Sequence, residues 1–194
     1  MNQQPTYKLL KMVCDGDTES FGQLYALTRL DVYRTVYFLL NDKQDTPDVV
    51  SEVYMELLHC LKDYKEDKPF RSWLNGLTVR QARNWNRKLW RKFRLSERNK
   101  TLEIRLPEVD AAHEVLRSES RNELWTRIEQ LPFKLKAVIV LRYYQDCPLE
   151  EIADILGIPT GTVKSRHHLA LKKLRLALRE RPEFAKEESV HANG

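Results

Sequence analysis

The sequence predicts an all-α protein built from two small helical domains joined by a flexible linker. Apolar residues recur three and four positions apart along most of the 194 residues, and alternation with period two is scarce. No turn sequence lies between two alternating runs, so nothing indicates a β-hairpin. The helical period fades between residues 96 and 118, where Leu106-Pro107-Glu108 interrupts it. We therefore expect a domain at residues 1–95, a linker at 96–118, a second domain at 119–181 and a tail at 182–194.

The composition excludes several classes of protein. No run approaches the roughly 18–20 consecutive apolar residues that a membrane span needs, and the N-terminus has no signal-peptide features. We therefore expect a cytoplasmic protein without membrane insertion. The histidines show no ligand spacing and the cysteines form no C-x-x-C pair, which predicts reduced thiols, no metal site and no cofactor. The three cysteines are Cys14, Cys60 and Cys147.

The formal net charge of +5 conceals a strong segregation of charge along the chain. Residues 80–105 hold ten basic and two acidic residues, and residues 164–181 hold seven basic and one acidic. Residues 42–69 instead hold eight acidic and four basic residues. Two basic blocks and one acidic block indicate two contacts with a polyanion and one with a basic partner, although solvated helix faces could have the same composition.

The first domain begins with a short helix that ends at Gly16-Asp17, and a longer helix then runs toward Leu40. A third helix is predicted over residues 48–62, with Thr46 as its cap and Pro47 at its start. Its apolar residues recur on one face, which predicts a buried stripe. That stripe consists of Val49, Val50, Val53, Tyr54, Leu57, Leu58 and Leu61.

Three carboxylates lie on another face of this third helix. Asp48, Glu52 and Glu56 are spaced four residues apart, so they stack along the helix with no basic residue between them. A solvated surface would tolerate such a stripe, but a basic partner would explain it better.

A polar loop at residues 63–69 precedes a fourth helix, predicted over residues 70–93. Its buried face is expected to contain Trp73, Leu74, Leu77, Ala82, Trp85 and Leu89. A different face carries Arg80, Asn84, Arg87 and Arg91. A basic face with aromatic rings at its start indicates a nucleic-acid surface, because cations bind phosphates and flat rings stack on bases. The alternative for Trp73 and Trp85 is a purely structural place in the core.

The second domain ends in a helix-turn-helix pattern. One helix is predicted around Trp125 and a second begins at Pro132, and Cys147-Pro148 separates them from the pattern. Six residues of the following segment then match the positions at which two helices cross at a tight turn. They are Ile152, Ala153, Leu156, Gly157, Ile158 and Val163, and Thr160 is the expected cap of the second helix.

The second helix of such a unit enters the major groove of DNA with its N-terminal half. Five residues are then expected within reach of bases or phosphates: Thr162, Lys164, Ser165, Arg166 and His168. Lys172, Lys173 and Arg175 would lie near the backbone further along. A helical hairpin packed only for structure is the alternative, and the many basic residues argue against it.

In this order, the motifs resemble those of the extracytoplasmic-function (group 4) sigma factors of bacterial RNA polymerase, a group of the sigma-70 family. The resemblance covers roughly residues 8–180. Gly16-Asp17 resembles the first conserved segment, and the run from Asp45 to Tyr54 is similar to the core-binding helix. Phe70-Arg71-Ser72-Trp73-Leu74 is similar to the start of the promoter-melting helix, and the run from Thr160 to Arg166 resembles the minus-thirty-five recognition helix.

The resemblance implies an alternative sigma factor that binds core RNA polymerase and promoter DNA and is controlled by an anti-sigma factor. It implies core binding by Asp45, Asp48, Glu52, Tyr54 and Glu56. It also implies that the loop before the fourth helix holds a flipped minus-ten base, with Tyr64, Phe70 and Trp73 lining or supporting the pocket. Four residues differ from those that are common in the family, so the resemblance does not decide which promoter bases are recognised. They are Ser51, Arg80, His168 and Leu169.

Two other hypotheses remain at this point. A stand-alone helix-turn-helix regulator would fit the terminal unit but leaves the acidic helix unexplained. An enzyme with a carboxylate metal site at Asp45, Asp48, Glu52 and Glu56 is disfavoured, because no histidine supports these residues and the stripe faces away from the core. The sequence therefore predicts a protein that is not an enzyme.

Overall fold

The computed structural model describes residues 5–65, 67–98 and 119–179, and side chains are described outside 92–98, 119–123 and 179. In the first domain α1 spans Tyr7–Cys14, α2 Thr18–Leu39, α3 Thr46–Cys60 and α4 Phe70–Arg98, and a 3-10 turn at Leu61–Asp63 follows α3. In the second domain α5 spans Glu119–Glu129, α6 Phe133–Ile139, α7 Leu149–Leu156 and α8 Thr160–Arg179, and α6 continues as a π-helical turn at Val140–Tyr144. These described ranges contain helices and no strand, as the sequence predicts.

The first two helices begin and end where local chemistry directs them. The Thr6 hydroxyl accepts from the Leu9 amide at 3.3 Å and caps α1. Gly16 takes a φ of +88°, a left-handed conformation that suits glycine, at the turn into α2. The Asp17 carboxylate accepts from the Ser20 amide at 2.9 Å, and hydrogen bonding to Ser20 lowers the pKa of this carboxyl group. The carboxylate therefore caps α2 in its charged form.

The predicted apolar stripe of α3 forms much of the first core. All but one of its seven residues are at most 8% exposed; Leu58 is the exception, at 48%. The prediction that Thr46 caps this helix is wrong, because Thr46 is the first residue of the helix and Asp45 precedes it. The Thr46 hydroxyl donates to the Lys43 carbonyl instead, at 2.7 Å, because the chain turns one residue earlier than the prediction had it.

Helix α4 is longer than predicted and crosses the first core. Leu74, Leu77 and Ala82 are buried, whereas Trp73, Trp85 and Leu89 are half-buried. The helix extends to Arg98, so it enters the segment predicted as linker. The rest of that segment, residues 99–118, and the predicted tail at 182–194 lie outside the described residues.

The second domain packs α5, α6 and α8 around a smaller apolar cluster. Its buried members are Ile128, Leu131, Leu135, Ile139, Ala170 and Leu174. Leu124 has the helical spacing of this apolar stripe, four residues before Ile128, but is 40% exposed. Its neighbour Trp125 packs against this cluster and also reaches the first domain, where it stacks on Phe38 with ring centroids 4.0 Å apart.

The two domains are in direct contact through an apolar cluster that includes buried residues of both, and a buried polar junction forms part of the same contact. The Gln145 side chain is 1% exposed and lies between α2 and α4. Its amide nitrogen donates to the Thr35 hydroxyl at 2.6 Å, and its amide oxygen accepts from the Arg71 guanidinium at 2.9 Å. The Ser72 hydroxyl donates to Glu151 close by. These partners are far apart in sequence, so the junction depends on the docking of one domain on the other.

A lysine-rich corner completes the contact between the domains. Lys43 pairs with Glu129 at 3.0 Å and lies over the Tyr37 ring. Lys136 is 2% exposed, and burial, together with the positive charge of Lys43, lowers its pKa to about 8. Burying the charged form of this lysine costs free energy, because a buried ammonium loses its hydration.

Candidate functional site

The acidic face of α3 is largely open to solvent. Asp48 and Glu52 are exposed, and Glu56 is half-buried. The Cys60 thiol donates to Glu56 at 3.3 Å, so this last carboxylate also accepts a hydrogen bond from the final residue of its own helix. The structure thus leaves two carboxylates fully available to a basic partner, one helical turn apart.

Asp45 and Tyr54, also predicted on this surface, are engaged within the first domain. The Trp85 indole donates to Asp45 at 2.8 Å, which joins α4 to the start of α3. Tyr54 is 5% exposed, its hydroxyl is 2.8 Å from that of Thr28, and burial raises its pKa to about 12. These residues hold α3 in place rather than extend its exposed acidic face.

Three aromatic rings form a compact triangle at the loop before α4. The centroids of Tyr64 and Phe70 are 5.6 Å apart and perpendicular, and Trp73 lies 5.3 Å from Tyr64 and 5.6 Å from Phe70. The Tyr64 hydroxyl donates to the Lys68 carbonyl at 2.6 Å and closes the loop. Phe70 is only 3% exposed, so it is the buried member of the triangle and supports the other two rings from the core side.

The basic face of α4 is exposed as predicted. Arg80, Asn84, Arg87 and Arg91 all face solvent. The Lys88 ammonium lies 5.2 Å from the centre of the Trp85 ring, so one further cation covers the indole that binds Asp45. The pKa of Cys60 is raised by burial and by Glu56, while Arg80 opposes this shift. Arg80 is therefore close to the end of α3.

The helix-turn-helix has the geometry that the sequence predicts. Gly157 takes a φ of +62° and a ψ of 42°, the left-handed conformation of a helix end. The amides of Gly157 and Ile158 donate to the carbonyls of Asp154 and Ala153, the pair of bonds that closes such a turn. Ile152 and Val163 are fully buried where the two helices meet.

The exposed residues of α8 form a stripe along the predicted recognition helix. Lys164, Ser165, His168 and Lys172 are exposed, whereas Thr162 and Arg166 are half-buried. Thr160 was predicted to cap this helix, but α8 begins at Thr160, so this residue is part of the helix and not its cap. The Ser165 hydroxyl donates to the Gly161 carbonyl at 2.9 Å, so Lys164, His168 and Lys172 are the more available groups.

Sequence reasoning missed one feature next to this stripe. The Tyr143 hydroxyl is 2.9 Å from His167 Nε2, and the two rings stack with centroids 5.7 Å apart. Burial, followed by the charges of Arg142 and His168, lowers the pKa of His167. Tyr143 thus fixes one ring on the recognition helix from the π-helical turn. The period of that turn departs from 3.6, so an amphipathic pattern could not have revealed the pair.

The described parts of the chain form two helical domains, and the second ends in a helix-turn-helix, a unit typical of DNA-binding proteins. The family model of sigma-70 region 2 matches residues 24–92, and that of sigma-70 region 4 matches residues 121–174. The ECF RNA polymerase sigma-E factor of Escherichia coli is 30% identical over 174 residues, 86% of this chain and 91% of the relative. The RNA polymerase sigma factor SigV of Bacillus subtilis is 29% identical over 178 residues, 92% of this chain and 96% of the relative.

Two solved structures share the fold. The sigma factor RpoE of Bartonella quintana, in complex with the anti-sigma factor NepR, has a TM-score of 0.69 at 19% identity and covers 84% of this chain and 98% of its own. CnrH, in complex with the cytosolic domain of CnrY, has a TM-score of 0.64 at 22% identity and covers 89% and 96%. The chain belongs to the extracytoplasmic-function sigma factors of the sigma-70 family. It is an alternative sigma factor, a transcription initiation factor that works with RNA polymerase, and not an enzyme.

In the part of the chain that the structure describes, no helix is long and apolar enough to cross a membrane.

Proposed function

We propose that three separate surfaces divide the work of this sigma factor between core polymerase and the two promoter elements. The observation that carries the proposal is their segregation: exposed carboxylates on α3, exposed cations on α4 and exposed cations on α8. Each surface is charged, projects from a packed helix and lies on a different element. A stand-alone regulator would have no use for the acidic one.

The α3 surface binds core polymerase in this proposal. Asp48 and Glu52 face a basic partner directly, and Glu56 extends the same face at its far end. Asp45 and Tyr54 contribute by fixing the helix, since both are bonded within the first domain. Like charges four residues apart repel one another weakly, and a basic partner turns that repulsion into attraction.

The α4 surface and its loop bind the minus-ten element. Arg80, Arg87 and Arg91 neutralise phosphates, and the aromatic loop receives an unpaired base. Flipping a base out of a duplex costs a few kcal/mol, and stacking returns about 1–3 kcal/mol for each base. Such a surface opens the promoter by capturing single strand, with no need for ATP hydrolysis.

The α8 stripe reads the minus-thirty-five element from the major groove. Lys164 and His168 are near the N-terminal half of the helix, which enters the groove, and Lys172 lies further along, near the phosphates. Thr162 and Arg166, which are half-buried, complete the set together with Ser165, which is exposed but donates its hydroxyl hydrogen to the Gly161 carbonyl. The steep crossing at Gly157 projects this helix from the domain.

An anti-sigma factor is the proposed regulator, and the cytoplasm is the proposed place of action. Both RpoE and CnrH, whose fold this chain shares, were solved in complex with a protein partner, an anti-sigma factor in the case of RpoE. Bacterial transcription takes place in the cytoplasm, and a partner that binds this factor would prevent its use by polymerase.

The test is run-off transcription with the full-length chain and core RNA polymerase on genomic fragments, followed by mapping of the start sites. Asp48→Arg and Glu52→Arg are expected to abolish co-purification with core polymerase while helicity and Tm stay unchanged. Glu19→Arg, an exposed acid on α2, is the matched control and is expected to bind core normally.

Failure of the wild-type chain to bind core polymerase would refute the proposal. A specific footprint on duplex DNA by the chain alone at physiological salt would favour the stand-alone regulator instead.

A further inference from the structure

A cavity of about 550 Å³ lies between α1 and the aromatic loop of the first domain. Tyr64, Lys68 and Phe70 line it from the loop, and Pro5, Tyr7 and Leu10 line it from the start of the chain. The loop side coincides with the proposed base-binding loop. The α1 side belongs to a part of the chain whose residue pattern does not indicate a contact with DNA.

The loop wall is held firmly in place. Tyr64 contacts both Phe70 and Trp73, and its hydroxyl donates to the Lys68 carbonyl. With its hydroxyl occupied, Tyr64 offers the cavity mainly its ring. A wall fixed in this way binds a flat ligand with little loss of conformational entropy.

The opposite wall is also fixed, although its key side chain is open to solvent. Tyr7 begins α1 and is 62% exposed, whereas Leu10 and Val13 of the same helix are 4% exposed. The Thr6 cap and these two core contacts hold the helix. A large ring on an anchored helix is thus held at the rim of a cavity, where it adds little to the core.

The chemistry of the cavity fits a nucleobase. The rings of Tyr7, Tyr64 and Phe70 supply apolar surfaces from both walls. Two exposed charged side chains also line the cavity: Asp67 supplies an acceptor for the amino groups of a base, and Lys68 supplies a cation for a neighbouring phosphate. Every base has a π-face that stacks on such rings.

We propose that Tyr7 is the second wall of the base pocket: it closes the cavity from the α1 side over a flipped, unpaired nucleobase of the minus-ten strand. This inference rests on the proposed function of the loop and extends it to the N-terminal helix. Tyr7 is then a determinant of open-complex lifetime that acts through one base.

The experiment measures the lifetime of open complexes formed by holoenzyme, challenged with a competitor. It compares the intact promoter with a series of promoters that carry a single abasic site along the non-template minus-ten strand. The variants are Tyr7→Ala and Tyr7→Phe, with Met12→Ala as the matched control, because Met12 is an exposed apolar residue of α1 outside this cavity. Tyr64→Ala reports on the loop wall in parallel.

Tyr7→Ala is expected to shorten the lifetime on the intact promoter by about 5- to 150-fold, the range for loss of one base stack. Its effect is expected to vanish at a single abasic position, the same one at which Tyr64→Ala loses its effect. Tyr7→Phe and Met12→Ala are expected to stay within about twofold of wild type, since one keeps the ring and the other leaves the cavity intact.

An equal effect of Tyr7→Ala at every abasic position would overturn the inference. A wild-type lifetime of the Tyr7→Ala open complex on the intact promoter would also overturn it, and so would a reduced affinity of this variant for core polymerase. If Tyr64→Ala still couples to one abasic position while Tyr7→Ala does not, the inference fails and base capture by the loop stands. If neither residue couples to any position but run-off transcription persists, both the inference and base capture fail, while the assignment as a sigma factor is untouched.

Discussion

Replacing Gln145 by alanine is expected to weaken the docking of the two domains. The amide oxygen of this side chain accepts from the Arg71 guanidinium, and its amide nitrogen donates to Thr35. A hydrogen bond to a charged group contributes about 1.5–3 kcal/mol and a neutral one about 1 kcal/mol. The Arg71 Nε is buried without a partner already, so the guanidinium has no substitute for the lost bond.

The sum of these terms is about 2.5–4 kcal/mol of domain docking, which corresponds to a fall of roughly 60- to 1000-fold in the ratio of closed to open molecules. Distances between spin labels measure this ratio directly. One label takes the exposed Cys14 of the first domain, and a second takes Lys173→Cys on α8, in a background with Cys60→Ser and Cys147→Ala, which leaves no other thiol to be labelled. The wild type is expected to give one narrow distance distribution, and Gln145→Ala a broader one that extends to longer distances.

Two control variants define the cause. Gln23→Ala removes an exposed amide outside the junction and is expected to leave the distribution unchanged. Gln145→Glu keeps an acceptor for Arg71 and is expected to open the domains less than alanine does. A distribution in Gln145→Ala as narrow as that of the wild type, with normal helicity, would refute the reasoning, because the buried amide would then contribute nothing to docking.

Four further results are expected. The pKa of Lys136, about 8 in the folded chain against 10.5 ordinarily, means that the unfolded chain binds more protons between these values. The free energy of unfolding should therefore rise by up to about 3 kcal/mol as the pH increases from 8 to 10.5. Lys136→Met should raise the free energy of unfolding by about 1–3 kcal/mol at pH 7 and abolish its increase with pH. Urea unfolding at a series of pH values measures both effects. Gly157→Ala should cost about 1–2 kcal/mol at its left-handed φ, seen by calorimetry as a Tm lower by about 2–8 °C. Trp85→Phe should lose about 1–2 kcal/mol in urea unfolding with its bond to Asp45; an unchanged midpoint would show that the ring alone matters. Lys172→Ala should weaken minus-thirty-five binding about equally across sequences and lower the salt slope by about one, as measured by fluorescence anisotropy in a salt titration; a change of base preference would contradict a phosphate contact.

Local features of the fold could be predicted from the sequence because they depend on neighbours along the chain. The α3 stripe was predicted from its period, and Gly157 from its place in the helix-turn-helix. Errors arose where the decision is tertiary. Leu58 and Leu124 fit their stripes by spacing, yet both are substantially exposed, because period alone does not say how far a neighbouring helix covers the edge of a stripe.

The candidate site shows the same division. Charge spacing was enough to predict the exposed α4 and α8 faces. It could not predict that Trp85 would bind Asp45, since 40 residues separate them, or that Gln145 would join Thr35 across 110 residues. Tyr7 had no pattern at all, because its place at the cavity follows from how α1 packs on the loop.

The docked pair of domains also sets a limit on length. By their names, the minus-ten and minus-thirty-five elements are about 25 base pairs apart, or about 85 Å of B-form DNA at 3.4 Å per base pair. A compact chain of 194 residues has a radius of gyration of about 16 Å. In the docked form, the cations of α4 and α8 stay exposed to solvent, so neither of the proposed DNA surfaces is covered, yet a molecule of this size is too short to reach both elements. Control by domain docking would then act through the distance between the two proposed DNA surfaces. A regulator needs only to keep the domains docked, and polymerase needs only to hold them apart at the spacing of the two promoter elements.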